Sequence, residues 1–220
     1  MPRKKPNPQP NDKVTPEQLF DIGISEAQLA NVYRNKSQTS IKWYLNLVRS
    51  FPVAQITRSD FTNQKREKNS MSFGKLYCYV YDAKTKDELP YWDKFPLVFP
   101  ISPTEKRNGF YGLNLHYIPI QIRNRFLYTL YKIMNNTRYD NTTKLKLSYD
   151  YILSLGSFDQ ALAKVAFKHY LLDHVKSYFI YIEPDEWPIA MYLPMENWQK
   201  QSMANVYSDI QQQIKKLQDK

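Results

Sequence analysis

The sequence predicts an α+β fold: a small antiparallel SH3-like β-barrel or sheet with inserted helices, an N-terminal helical appendage and a C-terminal helix. Three short runs rich in aromatic and β-branched residues follow one another at 75–81, 95–101 and 109–118, as consecutive antiparallel strands do. Helical patterns then intervene before two more runs, at 177–182 and 188–193. A doubly wound parallel sheet would instead alternate strands with helices. Five short strands with a helical insertion therefore favour the barrel, and an open α+β sandwich is the alternative.

Three helices are expected between the third and fourth strands. The first should begin at Pro119, because proline is favoured at the first helical position, and end near Asn135, with Ile122 on its buried stripe. A shorter helix is expected around 145–155, and a long one over 158–178. Composition and pattern together divide the chain into four segments: a disordered basic arm at 1–13, a helical appendage at 14–70, an α+β core domain at 71–194 and a C-terminal helix at 195–220.

The length of the chain permits one hydrophobic core without covalent staples. With 220 residues, folding can bury roughly 70% of the surface that the unfolded chain exposes. The single cysteine, Cys78, excludes an internal disulfide, and together with three histidines it excludes Cys₂His₂ and Cys₄ zinc sites. We expect Cys78 to be a buried, inert strand residue. No run approaches 18 apolar residues and no apolar segment follows the basic N-terminus, so we expect a soluble intracellular product without membrane span or signal peptide.

The charge of the chain is strongly positive and unevenly placed. Lys and Arg number 31 against 21 Asp and Glu, a net charge of +10, and residues 1–70 hold 12 of these basic residues against 6 acidic ones. Such an excess can neutralise nucleic-acid phosphates whatever the base sequence, although a charged tail can also be merely solvated. The candidate phosphate-contacting residues are Arg3, Lys4, Lys5, Lys65, Arg66, Lys68, Arg123 and Arg125.

Motifs for catalysis are missing from the sequence. It contains no phosphate-binding loop, no dinucleotide fingerprint, no nucleophile elbow and no HExxH zinc motif. His169 and His174, five residues apart on the expected long helix, would lie about 140° apart and share no metal. The one acidic cluster comprises Asp82, Asp87, Glu88 and Asp93. A nuclease would need these carboxylates to converge on metal ions, whereas aspartates in turns commonly accept local backbone hydrogen bonds. The sequence favours a non-enzyme with no cofactor, no metal and no small-molecule substrate. A metal-dependent nuclease that acts on DNA ends remains as the enzymatic alternative.

Several motifs in order carry a resemblance to a known family. The stretches GKLYCYVYDAKTKDELPYWDKFPLVFPI and GFYGLNLHYIP are followed by the helix that bears Arg123 and Arg125, and then by KLKLSYDYI, KHYLLDHVKSYFIYI and EWPIAMYLP. In this order the chain resembles the DNA end protector proteins of T-even-type contractile-tailed phages. The resemblance covers about residues 37–207.

The resemblance implies a bacteriophage virion protein that binds the ends of the packaged linear double-stranded DNA and shields them from host exonucleases without turnover. It implies DNA ends and neck or tail virion proteins as partners, and a location in the virion and, during assembly and after injection, in the host cytoplasm. Tyr91, Trp92 and Phe95 could stack on a terminal base pair, although core packing is the favoured interpretation. The alternative is a purely structural neck, tail or baseplate component that holds other virion proteins and binds DNA weakly.

Overall fold

The computed structural model describes residues 67–187, 190 and 196–219 of the chain. The predicted basic arm and nearly all of the predicted N-terminal helices lie outside the described residues, as does most of the predicted strand at 188–193. The segment boundaries drawn from composition therefore stay predictions.

Eight strands in the described residues form two antiparallel sheets. They are β1 (Glu67–Lys68), β2 (Leu76–Cys78), β3 (Trp92–Asp93), β4 (Leu97–Pro103), β5 (Gly109–Asn114), β6 (Phe167–Leu171), β7 (Phe179–Ile182) and β8 (Trp198–Gln199). The larger sheet has the order β1-β7-β2-β4-β5-β6, and β3 pairs with β8 in a small second sheet. The three consecutive strands predicted from the sequence are confirmed, because β4 pairs antiparallel with both β2 and β5.

The sheet is open rather than a closed barrel. Closure would require pairing between its two edge strands, β1 and β6, yet in the described residues β1 pairs with β7 and β6 pairs with β5. The α+β class is therefore confirmed and the SH3-like barrel is not. The sequence pattern gives the number and order of short strands, but closure depends on strand tilt and stagger, which no local pattern reports.

Four helices accompany the sheet in the part of the chain that the structure describes. They are α1 (Ile120–Met134), α2 (Asn141–Phe158), α3 (Gln160–Ala166) and α4 (Met203–Gln218). The first three lie between β5 and β6, as the predicted helical insertion requires. The bounds of α1 agree with the sequence, although Ile122 is exposed rather than buried. The helix expected around 145–155 is longer in the structure, where α2 spans Asn141–Phe158. Gly156 lies inside α2 and does not end it.

The predicted long helix at 158–178 is wrong. The Asp159 side chain accepts a hydrogen bond from the Leu162 amide at 2.9 Å and caps α3, which ends at Ala166. The chain then becomes β6 and pairs with the open side of β5, with His169 opposite Tyr111. Apolar residues at helical spacing suggested a helix, but the pairing partner offered by β5 decides the conformation of this segment.

Hydrophobic residues cover both faces of the larger sheet. Because successive side chains of a strand point to opposite faces, Leu76 and Cys78 of β2 pack on the helix side, whereas Tyr77 and Tyr79 pack on the other. The burial of Cys78 agrees with the expected inert strand cysteine. The second face carries an aromatic cluster of Tyr77, Tyr79, Tyr81, Phe110, Tyr170 and Phe179, whose rings meet mostly edge to face.

Gly112 in β5 allows this face to pack closely. A Cβ at Gly112 would lie 2.4 Å from Cγ1 of Val98, which is far inside van der Waals contact. The strands β4 and β5 therefore approach each other closely at Gly112. Its cross-strand partner in β6 is Lys168.

Candidate nucleic-acid interface

Five of the predicted phosphate-contacting residues, Arg3, Lys4, Lys5, Lys65 and Arg66, lie outside the described residues. Lys68 is exposed at the end of β1, on an edge of the larger sheet, with Phe179 as its cross-strand partner. Arg125 is exposed on α1. Both side chains face solvent on the described surface, so both can approach a phosphate group.

Arg123 lies in a different environment from the one expected. Its side chain is 1% exposed, and its Nη1 donates a hydrogen bond to Oε1 of Glu196 at 3.1 Å. Nε and Nη2 donate to the carbonyl oxygen of Ile118 at 3.3 and 3.2 Å. The buried face of α1 thus includes Arg123, and its charge is compensated inside the protein. We therefore remove Arg123 from the residues proposed to contact DNA.

Glu196 is the centre of this buried polar group. Besides Arg123, Tyr207 of α4 donates a hydrogen bond to Oε1 of Glu196 at 2.9 Å. Burial opposes ionisation of the carboxyl group, but its electrostatic interactions with His116 and Arg123, together with the hydrogen bond from Tyr207, outweigh the effect of burial, so the pKa of Glu196 is lowered. The group joins α1 to the C-terminal helix.

The acidic residues singled out in the sequence do not converge. Asp82 forms an exposed pair with Lys86 at 3.1 Å, whereas Asp93 is buried and its Oδ2 contacts Nδ1 of His116. Oδ1 of Asp93 accepts hydrogen bonds from the amides of Phe95 at 3.0 Å and Asn197 at 3.2 Å. The structural interpretation of Asp93 is therefore confirmed. In the described residues, His, Cys, Asp and Glu form no group of three that could hold a metal ion.

The aromatic residues first considered for base stacking belong mainly to the core. Tyr91 and Phe95 are buried and Trp92 is half-buried. Tyr91 also donates a hydrogen bond from its hydroxyl to Oδ2 of Asp209 at 2.8 Å, which ties it to α4. Core packing, the favoured interpretation of Tyr91 and Phe95, is confirmed.

A different pair of rings faces solvent at the edge of the sheet. Tyr111 of β5 is 47% exposed, and its ring centroid lies 5.2 Å from that of the exposed His169 of β6, with 33° between the ring planes. We call these two residues the ring pair. Sequence reasoning missed it because the pattern around His169 predicts a helix; the β-prone composition of Phe167–Leu171 was the available signal.

The β4–β5 turn lies beside the ring pair. Lys106 and Arg107 are exposed in this turn, and Arg107 has φ of 52°, in the left-handed region that non-glycine residues rarely adopt. The turn is held by the Arg107 amide, which donates to the Thr104 carbonyl oxygen at 2.9 Å. The Leu172 amide donates to the carbonyl oxygen of Asn108 at 2.9 Å, so the turn is joined to the segment after β6.

Lys168 of β6 is a half-buried cation. Its Nζ lies 3.9 Å from the centroid of the Tyr117 ring, and none of the carboxylates among the described residues forms an ion pair with it. Burial lowers the pKa of Lys168 to about 8. Burial of the ammonium group therefore costs free energy, and the cation–π interaction with the Tyr117 ring offsets only part of that cost.

None of the described helices is both long enough and apolar enough to cross a bilayer.

A strongly basic chain that exposes lysines and arginines on several elements, beside solvent-facing rings, is typical of the class of proteins that bind nucleic acids. A family model makes this class specific: the model described as Phage T4 terminal DNA protecting protein matches residues 25–214. Because the match covers well over half of the chain, the chain belongs to this bacteriophage family.

The family expected from the sequence is therefore confirmed, and the match extends beyond residues 37–207 at both ends. No curated protein and no solved structure matches the chain significantly.

Proposed function

We propose that the chain occupies the ends of linear double-stranded phage DNA and shields them from exonucleases by binding alone, without making or breaking bonds. The family match over residues 25–214 is the observation that carries this proposal. The net charge of +10 supports it, since a basic protein gains affinity for duplex DNA by releasing counterions from phosphates. Occupancy of the end is sufficient for protection, because an exonuclease must engage the terminus that the protein covers.

The proposed phosphate contacts are Arg3, Lys4, Lys5, Lys65, Arg66, Lys68 and Arg125. For Lys68 and Arg125 the support is their exposure on the described surface. For the other five, the support is the basic composition of the sequence around them.

End recognition is tested by competition between two DNA substrates. A labelled blunt duplex is bound to the full chain and displaced by unlabelled linear DNA or by a covalently closed circle of the same sequence and length. We expect the linear competitor to be clearly stronger, and the bound chain to delay digestion by an exonuclease. Equal displacement by both competitors would contradict end protection and favour the purely structural neck, tail or baseplate role.

Replacing Lys68 or Arg125 with glutamine should reduce the salt dependence of DNA binding. Removing one cation that neutralises a phosphate should lower the magnitude of the slope of log affinity against log salt by about one. The slope is measured on linear duplex over a series of salt concentrations. Arg138→Gln is the matched control, because Arg138 is an exposed arginine outside the proposed set. A slope unchanged in both variants would remove these two residues from the interface.

We further propose that the chain acts in the virion and, during assembly and after injection, in the host cytoplasm, with neck or tail proteins as partners. This placement is supported by the family, since an end that leaves a phage particle must be covered before host exonucleases reach it.

A further inference from the structure

We propose that the ring pair and the adjacent β4–β5 turn form the surface that contacts the last base pair of the duplex, with Tyr111 and His169 stacking on the base pair and Arg107 contacting a terminal phosphate. This inference rests on the proposed function and assigns its end-specific part to particular residues.

The exposure of the ring pair is the first observation. Most aromatic rings in the described residues are buried or half-buried, whereas Tyr111 is 47% exposed and His169 faces solvent beside it. An interior base pair has a neighbour on both faces, but a terminal pair leaves one aromatic face open. Stacking on an aromatic side chain needs no particular base, because every base has such a face. A surface of this kind therefore discriminates an end from the interior without reading sequence.

The support beneath the rings is the second observation. Tyr111 and His169 are direct cross-strand partners in β5 and β6, so paired strands fix their relative position. A Cβ at Gly109 would come within 3.1 Å of Nε2 of His169, which shows that the imidazole lies close against the β5 backbone. Within the described residues β6 pairs only with β5, so no further strand covers this edge. The rings are thus presented on two paired strands and are exposed among the described residues.

Charge at the neighbouring turn is the third observation. Lys106 and Arg107 are exposed there, and although Glu105 partly offsets them, the turn keeps a positive excess. Arg107 is held at φ of 52°, a conformation that glycine adopts more easily than arginine. An arginine kept in a strained conformation at an exposed turn indicates a role for its side chain. A guanidinium suits a phosphate group because it donates two parallel hydrogen bonds.

The test compares a short blunt duplex with a dumbbell of the same sequence whose two ends are closed by loops. The Tyr111→Thr/His169→Thr variant removes both rings and keeps residues that favour strands. We expect it to bind the blunt duplex roughly tenfold more weakly, since stacking on one base is worth about that much, and to bind the dumbbell as the unchanged protein does. Tyr139→Thr, at a comparably exposed tyrosine in the α1–α2 loop, should leave both affinities unchanged.

Arg107→Gly tests the phosphate contact without straining the turn, because glycine accepts the positive φ. It should reduce the salt slope on the blunt duplex by about one while the variant stays as stable to urea as the unchanged protein. An unchanged slope would overturn the role of Arg107.

The outcomes separate this inference from the proposed function. If the unchanged protein binds duplex and dumbbell equally, the end-protecting function itself fails. If the unchanged protein prefers the blunt duplex and the Tyr111→Thr/His169→Thr variant keeps that preference, end binding stands and the ring pair is not the stacking surface. Loss of preference in the double variant, together with normal behaviour of Tyr139→Thr, supports the assignment.

Discussion

Replacing Arg123 with methionine is expected to lower the free energy of unfolding by about 3 to 5 kcal/mol. The side chain is 1% exposed and compensates the buried carboxylate of Glu196 at 3.1 Å. Methionine fills much of the same volume but removes the guanidinium that pairs with this carboxylate, and a buried charge that loses its partner is strongly destabilising. Urea unfolding of the full chain measures the effect. A loss below about 1 kcal/mol, the range of surface ion pairs, would show that the pair is not buried in solution.

The double variant Arg123→Met/Glu196→Gln separates the charge effect from packing. If the penalty comes from the unpaired carboxylate, neutralising Glu196 should restore a large part of the stability lost in the single variant. Tyr207→Phe, which removes only a hydrogen bond to the same oxygen, should cost about 1 kcal/mol. If the double variant is as unstable as the single one, the lost stability comes from the changed shape of the side chain and not from the unpaired charge.

The same network predicts sensitivity to acid. The pKa of Glu196 is lowered in the folded protein, so the folded state binds fewer protons at this group than the unfolded state in mildly acidic solution. The stabilisation is complete above the ordinary pKa of 4.5 and is lost as the pH falls through the lowered value. Glu196→Gln should therefore unfold with a weaker pH dependence in this range.

The elements that the sequence predicts well are those with strong local signals. Pro119 marks the start of α1. The Tyr-rich run at 75–81 contains β2, whose successive residues Leu76 and Tyr77 face opposite sides of the sheet. Proline at a helix start and alternation in a strand act within a few residues, so they can be recognised without tertiary information. The family was also recognisable from the sequence, and the family model matches residues 25–214.

The elements that it predicts poorly depend on distant partners. The segment containing His169 fits a helical spacing, and only the position of β5 shows that it becomes a strand. Arg123 precedes Arg125 by two residues, yet one is buried against Glu196, which lies far along the chain, and the other is exposed. Pairs of residues that are far apart in the sequence and meet only in the folded chain cannot be recognised from local patterns. The proposed end-contacting surface was missed for the same reason, since its two rings meet only after β5 and β6 pair.

Lys168 is expected to reduce stability at neutral pH, so Lys168→Met should stabilise the chain. The lowering of the Lys168 pKa from 10.5 to about 8 means that burying the charged ammonium costs about 3 kcal/mol of stability. Lys168→Met recovers this cost but loses the cation–π interaction with Tyr117, which is worth about 1 kcal/mol. We therefore expect a net gain of about 2 kcal/mol at pH 7, measured by urea unfolding. Lys164→Met, at an exposed lysine on α3, is the control and should change stability by less than about 0.5 kcal/mol.

The pH dependence of this gain distinguishes burial of a charge from a simple increase in apolar packing. Between the folded pKa of about 8 and the unfolded value of 10.5, the unfolded state binds more protons at Lys168 than the folded state. The stability of the unchanged protein therefore rises with pH in this window relative to that of Lys168→Met. Burial raises the pKa of Tyr117, the tyrosine beside Lys168, far above this window, so its ring stays protonated in the folded state of both proteins. A difference that stays constant from pH 7 to pH 10.5 would mean that Lys168 keeps its hydration in the folded chain.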